Sequence, residues 1–222
     1  YKHTTMSQTQ KMIVLFVPLI FITFFFLFVR VMQYTPLYPS EEVVTAYNEK
    51  LANFTIPILS EDPILGDKKA QKTLVVFGDY ECAPCASLHN TFSILLEKHP
   101  KQFNVIWKGL TNNPDPFPKT DAHRLAYCAN QQGKFIPFTQ TAYALRGSFS
   151  SASLATLTKD IGLRKGRFNT CLESELPDNY MHQTAAVGRL LQIQQLPAIF
   201  YNDKQIQQPE TIEEWEVILG LN

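Results

Sequence analysis

Apolar and polar positions divide the chain into an uncharged N-terminal run, an alternating strand and helix region, and a long helical block. Residues 12–29 (MIVLFVPLIFITFFFLFV) carry no charge. As a helix they span about 27 Å, close to the roughly 30 Å hydrocarbon core of a bilayer. Lys11 and Arg30 bracket the run, and their long stems reach toward headgroups. Pro18 is tolerated in lipid where neighbouring groups satisfy the carbonyl it frees. A cleavable signal peptide has a shorter apolar core and ends at a small-x-small site. This run ends in Arg30-Val31-Met32-Gln33-Tyr34, so it reads as an uncleaved transmembrane anchor over 12–32. Lys2 and Lys11 precede it, while Arg30, Glu41 and Glu42 follow. That asymmetry places residues 1–11 in the cytoplasm and the remainder outside it. The chain opens on Tyr1, and Met6, the first methionine, is a candidate start.

Beyond the anchor, residues 33–55 read as a linker with two prolines (33–40) and a helix over 41–52, with Val43, Val44, Tyr47 and Leu51 at helical spacing. Residues 56–59 suggest a short strand. Residues 62–69, with Pro63 and Gly66, suggest a turn. The apolar run at 73–77 predicts a strand covered on both faces. A helix over 86–98 and a strand over 103–107 follow. From 120 to about 191 the pattern is helical throughout: 121–131, 135–145, 152–161, 166–173 and 179–192, punctuated by Gly133, Gly147, Gly162 and Pro177. A strand at 198–201, a turn at Asn202-Asp203, a returning strand at 205–207 and a helix over 210–219 close the chain. The result is an α/β chain with a helical block set between its strands.

Composition adds exclusions. Lysines and arginines number 20 and acids 20, for zero formal charge. With no long basic run, nucleic acid is not suggested as a partner. At 222 residues the chain is long enough for one domain and an appendage.

The chemistry concentrates at Cys82-Ala83-Pro84-Cys85, between an apolar strand and a helix. Thiols three residues apart in a helix's first turn are close enough for a disulfide. The first lies at the positive end of the helix dipole, which stabilises a thiolate and lowers its pKa from about 8.5. The thiolate is the species that attacks disulfides. A structural disulfide and half of a zinc site are the alternatives for a CxxC pair alone. His89 lies four residues after Cys85, on the same helical face. It reads as a structural residue that could also raise the thiolate population.

Asp62-Pro63-Ile64-Leu65-Gly66-Asp67, followed by Val75-Val76-Phe77-Gly78-Asp79-Tyr80-Glu81-Cys82-Ala83-Pro84-Cys85, resembles the DsbA-like thiol–disulfide oxidoreductases. Ala126-Tyr127-Cys128-Ala129-Asn130-Gln131-Gln132-Gly133-Lys134-Phe135 is similar to the start of that family's helical insertion. Leu196-Pro197-Ala198-Ile199-Phe200-Tyr201-Asn202-Asp203 resembles the loop and strand carrying its cis-proline. The likeness runs from about residue 58 to the C-terminus. It implies a thioredoxin-like fold in two parts, 56–119 and 193–222, around a helical insertion at 120–192. Independently, Cys82 and Pro197 are 115 positions apart, more than a bare thioredoxin core needs.

The resemblance implies that Cys82 is the nucleophile and Cys85 the resolving thiol. It also implies a cis peptide before Pro197 that sets the Leu196 backbone beside Cys82 to pair with an extended substrate. Three departures stand out. Pro84 precedes the second cysteine, as in thioredoxin, a reductant, whereas strong oxidants of the family often place proline after the first. Val76 stands where the family often has a buried acid, leaving Asp79 or Glu81 as substitutes, although each reads first as a solvated loop acid. Leu196 is larger than the usual Thr or Val. Cys128 and Cys171 are free buried thiols, a structural disulfide, or part of a four-cysteine metal site. Neither has a partner at metal-ligand spacing. An oxidising compartment favours the disulfide, whose closure would contribute about 4 kcal/mol in the chain-entropy model.

The function expected is disulfide donation to exported, cysteine-containing proteins from an extracytoplasmic domain, periplasmic or cell-surface, tethered to the bilayer and reoxidised by a membrane partner. No cofactor or metal is expected. A tethered reductase or isomerase of the same fold is the alternative within the enzyme class. A Cu(I)-binding delivery module using Cys82 and Cys85 is the alternative outside it.

Overall fold

The computed structural model describes residues 7–34, 39–52, 54–111 and 120–221. Met6 and half of the expected linker, at 35–38, lie outside the described residues. Two compact units divide the chain after Phe54.

In the first unit, helix α1 (Gln8–Tyr34) begins four residues before the uncharged run. Ser7 and Gln10 cap its first turn reciprocally: the Gln10 N–H donates to Ser7 Oγ at 3.2 Å, and the Ser7 N–H donates to Gln10 Oε1 at 3.1 Å. Within its Gln8–Gln33 stretch an 18-residue window reaches a mean hydropathy of 3.0, which makes the stretch a candidate membrane span. Helix α2 (Glu41–Ala52) follows, with Val43 and Val44 exposed.

The second unit holds a five-stranded sheet: β1 (Ile64–Gly66), β2 (Lys72–Gly78), β3 (Phe103–Gly109), β4 (Ala198–Tyr201) and β5 (Lys204–Ile206), in the order β1-β3-β2-β4-β5. Only β2 and β3 run parallel, with Val76 opposite Trp107 and Gly78 opposite Gly109. Helix α3 (Ala83–Lys98) makes the crossover that a parallel pair requires. Helices α4 (Asp121–Asn130), α5 (Phe135–Ala144), α6 (Ser151–Asp160), α7 (Lys165–Glu173) and α8 (Leu176–Leu190) form the insertion, and α9 (Ile212–Leu219) ends the chain. One continuous core joins sheet residues such as Leu74, Val76 and Trp107 to insertion residues such as Phe138, Phe168 and Tyr180.

Four local expectations are corrected. Residues 56–59 form no strand. The Ile56 N–H donates to Asp203 Oδ1 and the Leu59 N–H to Asp62 Oδ2, so side chains take the donors a ladder would use. The edge strand lies instead at Ile64–Gly66, inside the expected turn, where Leu65 is buried opposite Val105. Pro177 does not separate helices. It lies in the first turn of α8, where its missing N–H has no intrahelical partner to lose. For the same reason α3 starts at Ala83, ahead of Pro84, rather than at residue 86.

Candidate active site

Cys82 and Cys85 are joined by a disulfide at the start of α3. Cys82 is the helix N-cap, with φ −85° and ψ 111°, so its sulfur sits where the unpaired N–H groups of the first turn point. The Cys85 N–H donates to Cys82 Sγ at 3.2 Å. Pro84, between them, has no N–H to give. Cys82 is 5% exposed and Cys85 fully buried, so an attacking group reaches the couple at Cys82.

The loop before β4 closes over the same sulfur. The Leu196–Pro197 peptide is cis, and the Leu196 carbonyl oxygen lies 3.5 Å from Cys82 Sγ, across 114 positions of sequence. Cys82, Cys85, Leu196 and Pro197 thus form one locus. Cys128 and Cys171 are placed elsewhere, in a second disulfide that ties α4 to α7. Among the described residues no three His, Cys, Asp or Glu side chains are grouped to hold a metal ion.

Asp79 is not a solvated loop acid. It is 5% exposed and its Oδ1 lies 3.2 Å from His123 Nε2 on α4. The Glu81 N–H donates to the same oxygen at 3.3 Å, and the Asp79 carbonyl accepts from the Cys82 N–H at 3.3 Å. The cause is close packing at the ends of β2 and β3. A Cβ on Gly109 would overlap His123 Nδ1, and one on Gly78 would overlap the Trp107 ring. Paired glycines ending two apolar strands are the sequence signal for that approach. Glu81 is exposed, as read from the sequence.

His89 is 1% exposed, with its ring 5.3 Å from that of Tyr143. Burial lowers its pKa from 6.5 to about 4. The imidazole is therefore neutral near pH 7 and packs against the insertion rather than adding positive charge beside the thiols. Tyr80, next to Asp79, shares a hydrogen bond with Thr139 at 3.2 Å, and burial raises its pKa.

Val76 is fully buried and brings no carboxylate; besides Asp79, the buried acids of this unit include Asp62, on the segment before β1. Asp62 accepts from Lys108 Nζ at 2.6 Å, from the Tyr180 hydroxyl at 2.7 Å and from the Leu59 N–H at 2.7 Å. Burial, then the neighbouring Asp62, raises the Tyr180 pKa well above its usual value. This network escaped the sequence reading. Its one signal was a lysine inside the apolar strand FNVIWKG, where burial on both faces demands a counterion.

The thioredoxin family model matches residues 59–220. No curated protein sequence matches the chain. Among solved structures, the thiol-disulfide exchange protein alpha-DsbA2 of Wolbachia pipientis is similar at 16% identity and a TM-score of 0.61, over 80% of this chain and 92% of that one. The catalytic domain of Proteus mirabilis ScsC is similar at 19% identity and a TM-score of 0.61, over 81% and 96%. Wolbachia pipientis alpha-DsbA1 is similar at 19% identity and a TM-score of 0.57, over 73% and 91%. With a disulfide capping the helix after β2, a proline loop against its outer sulfur and five helices inserted before that loop, the chain belongs to the thioredoxin family, as a thiol–disulfide oxidoreductase of DsbA-like architecture.

Proposed function

We propose that the protein donates disulfides to exported, cysteine-containing polypeptides at a membrane surface, with residues 12–32 as its anchor, and that a membrane partner reoxidises it. In the first step a substrate thiolate attacks Cys82 Sγ. A substrate–Cys82 bond forms, the Cys82–Cys85 bond breaks, and Cys85 takes the electron pair. A second substrate thiolate then attacks the substrate sulfur of the mixed disulfide and expels Cys82 as a thiolate. The substrate leaves with a disulfide, and the reduced pair passes two electrons to its oxidant.

The observation carrying this reading is the Cys85 N–H aimed at Cys82 Sγ from the first turn of α3. A donor and a helix N-terminus at that sulfur stabilise the departing thiolate and so favour donation. The Leu196 backbone, 3.5 Å away, supports a role in pairing with an extended substrate strand while the mixed disulfide lasts. One observation favours a reductase or isomerase on the same fold: Pro84 removes a donor that would otherwise point toward Cys82.

Cys85→Ala tests the role of the couple. This variant should hold substrate polypeptides in mixed disulfides at Cys82, visible as adducts that dithiothreitol releases. A Cys82→Ala/Cys85→Ala chain should form none. Equal adduct levels from both would overturn the assignment.

A further inference from the structure

The reaction centre is held from the insertion as well as by its own helix. Residues 79–82 turn tightly at the end of β2. The Cys82 N–H donates to the Asp79 carbonyl at 3.3 Å, and the Glu81 N–H donates to Asp79 Oδ1 at 3.3 Å. An aspartate that takes the N–H two residues on fixes a turn of this kind. The same Oδ1 lies 3.2 Å from His123 Nε2 on α4, and both side chains are buried. The next residue, Tyr80, shares a hydrogen bond with Thr139 on α5 at 3.2 Å, and its ring lies 5.0 Å from that of His123. The turn after α5 also presses on it: a Cβ on Gly147 would stand 3.2 Å from Tyr80 Cβ. Two adjacent residues leading to Cys82 are thus gripped by side chains from two insertion helices.

We propose that this grip is a positioning device. His123 and Thr139, acting through Asp79 and Tyr80, hold Cys82 in the conformation that sets its sulfur at the first-turn N–H groups of α3, and so tune how oxidising the couple is. The two redox states depend on the grip unequally. In the oxidised chain the bond to Cys85 fixes the Cys82 sulfur whatever the turn does. In the reduced chain that bond is gone, and the turn keeps Cys82 Sγ at the Cys85 N–H. Loosening the turn therefore destabilises the reduced thiolate more than the disulfide, and the couple becomes more reducing. This inference rests on the oxidoreductase reading and not on the direction of electron flow.

The test equilibrates the full chain, in non-ionic detergent, with glutathione and reads the equilibrium constant of Cys82–Cys85 by alkylation and mass. A hydrogen bond to a charged group is worth roughly tenfold in such a constant. Asp79→Ala and His123→Ala should each shift it about tenfold toward the disulfide, about 30 mV. The double variant should shift it no further than Asp79→Ala alone. Asp79→Asn keeps an oxygen for the Glu81 N–H and should restore most of the wild-type value. Tyr80→Phe removes one hydroxyl and no packing, so it keeps the test decisive where a larger truncation unfolds the chain; it should shift the constant the same way by about threefold. Wild-type constants in the folded variants would show a grip that serves stability alone and overturn the inference. Equal shifts in Asp79→Ala and Asp79→Asn would overturn it too, by assigning the effect to the charge of Asp79 rather than to the turn. A wild-type couple that fails to exchange with glutathione would instead overturn the oxidoreductase reading.

Discussion

Asp62, Lys108 and Tyr180 tie the segment before β1, strand β3 and the insertion helix α8 into one buried network, so breaking it should loosen the insertion from the sheet that carries the thiols. The Asp62 side chain is fully buried and that of Lys108 is 2% exposed, with 2.6 Å between their charged atoms. Removing one partner of such a pair costs roughly 3–5 kcal/mol, because the other charge stays buried. The two sides are not equivalent. Lys108→Met leaves Asp62 with the Tyr180 hydroxyl and the Leu59 N–H, so its cost should lie near 3 kcal/mol. Asp62→Leu strands the ammonium and also deprives Tyr180 and Leu59 of their acceptor, so its cost should lie near 5 kcal/mol. Asp62→Leu/Lys108→Met should cost no more than Asp62→Leu alone, a coupling of roughly 3 kcal/mol. The assay is guanidinium unfolding followed by tryptophan fluorescence. The chain's two tryptophans, Trp107 and Trp215, are both buried in this unit. Single-variant costs below about 1 kcal/mol that simply add would show a solvated pair and refute the reasoning.

Two further outcomes follow from buried groups away from that network. His89 has a folded pKa near 4 against 6.5 unfolded, so the unfolded chain binds the extra proton. The stability this gives is complete above pH 6.5 and is lost as pH falls toward 4; at pH 4.5 the loss is roughly 2–3 kcal/mol. Relative to wild type, His89→Leu should therefore gain about that much between pH 7.5 and 4.5 in denaturant titrations, and parallel pH profiles would contradict the assignment. Replacing both Cys128 and Cys171 by Ala opens a cross-link of sequence separation 43 and should cost about 4 kcal/mol in unfolding measurements. A loss below about 1 kcal/mol would show that the cross-link contributes little.

The parts legible in the sequence were those decided by neighbouring residues. The uncharged run, the strand before Cys82, the helix after it and the hairpin at 198–206 all follow from local periodicity and turn chemistry. Cys82, Cys85 and Pro197 were visible as motifs, but their meeting at Cys82 Sγ depends on the return of a loop 114 positions later. The misreadings share a cause of the opposite kind. Residues 56–59 lost their ladder because Asp203 and Asp62 captured two backbone donors. Asp79 read as a loop acid because His123, 44 positions on, decides its burial. The strand read from the sequence stopped at Trp107, and Lys108 continues β3 because Asp62, 46 positions earlier in the chain, supplies its countercharge. In each case a long-range side chain overrode a correct local tendency.

The reduction potential of the Cys82–Cys85 couple tests disulfide donation most directly. The full chain in detergent would be equilibrated in thiol–disulfide buffers, with the reduced fraction read by alkylation and mass and with Cys128–Cys171 remaining closed. Donation predicts a potential more oxidising than about −180 mV, reflecting a reduced state stabilised by the N–H at Cys82 Sγ. A value near about −270 mV, that of thioredoxin, would contradict donation and make the protein a reductant.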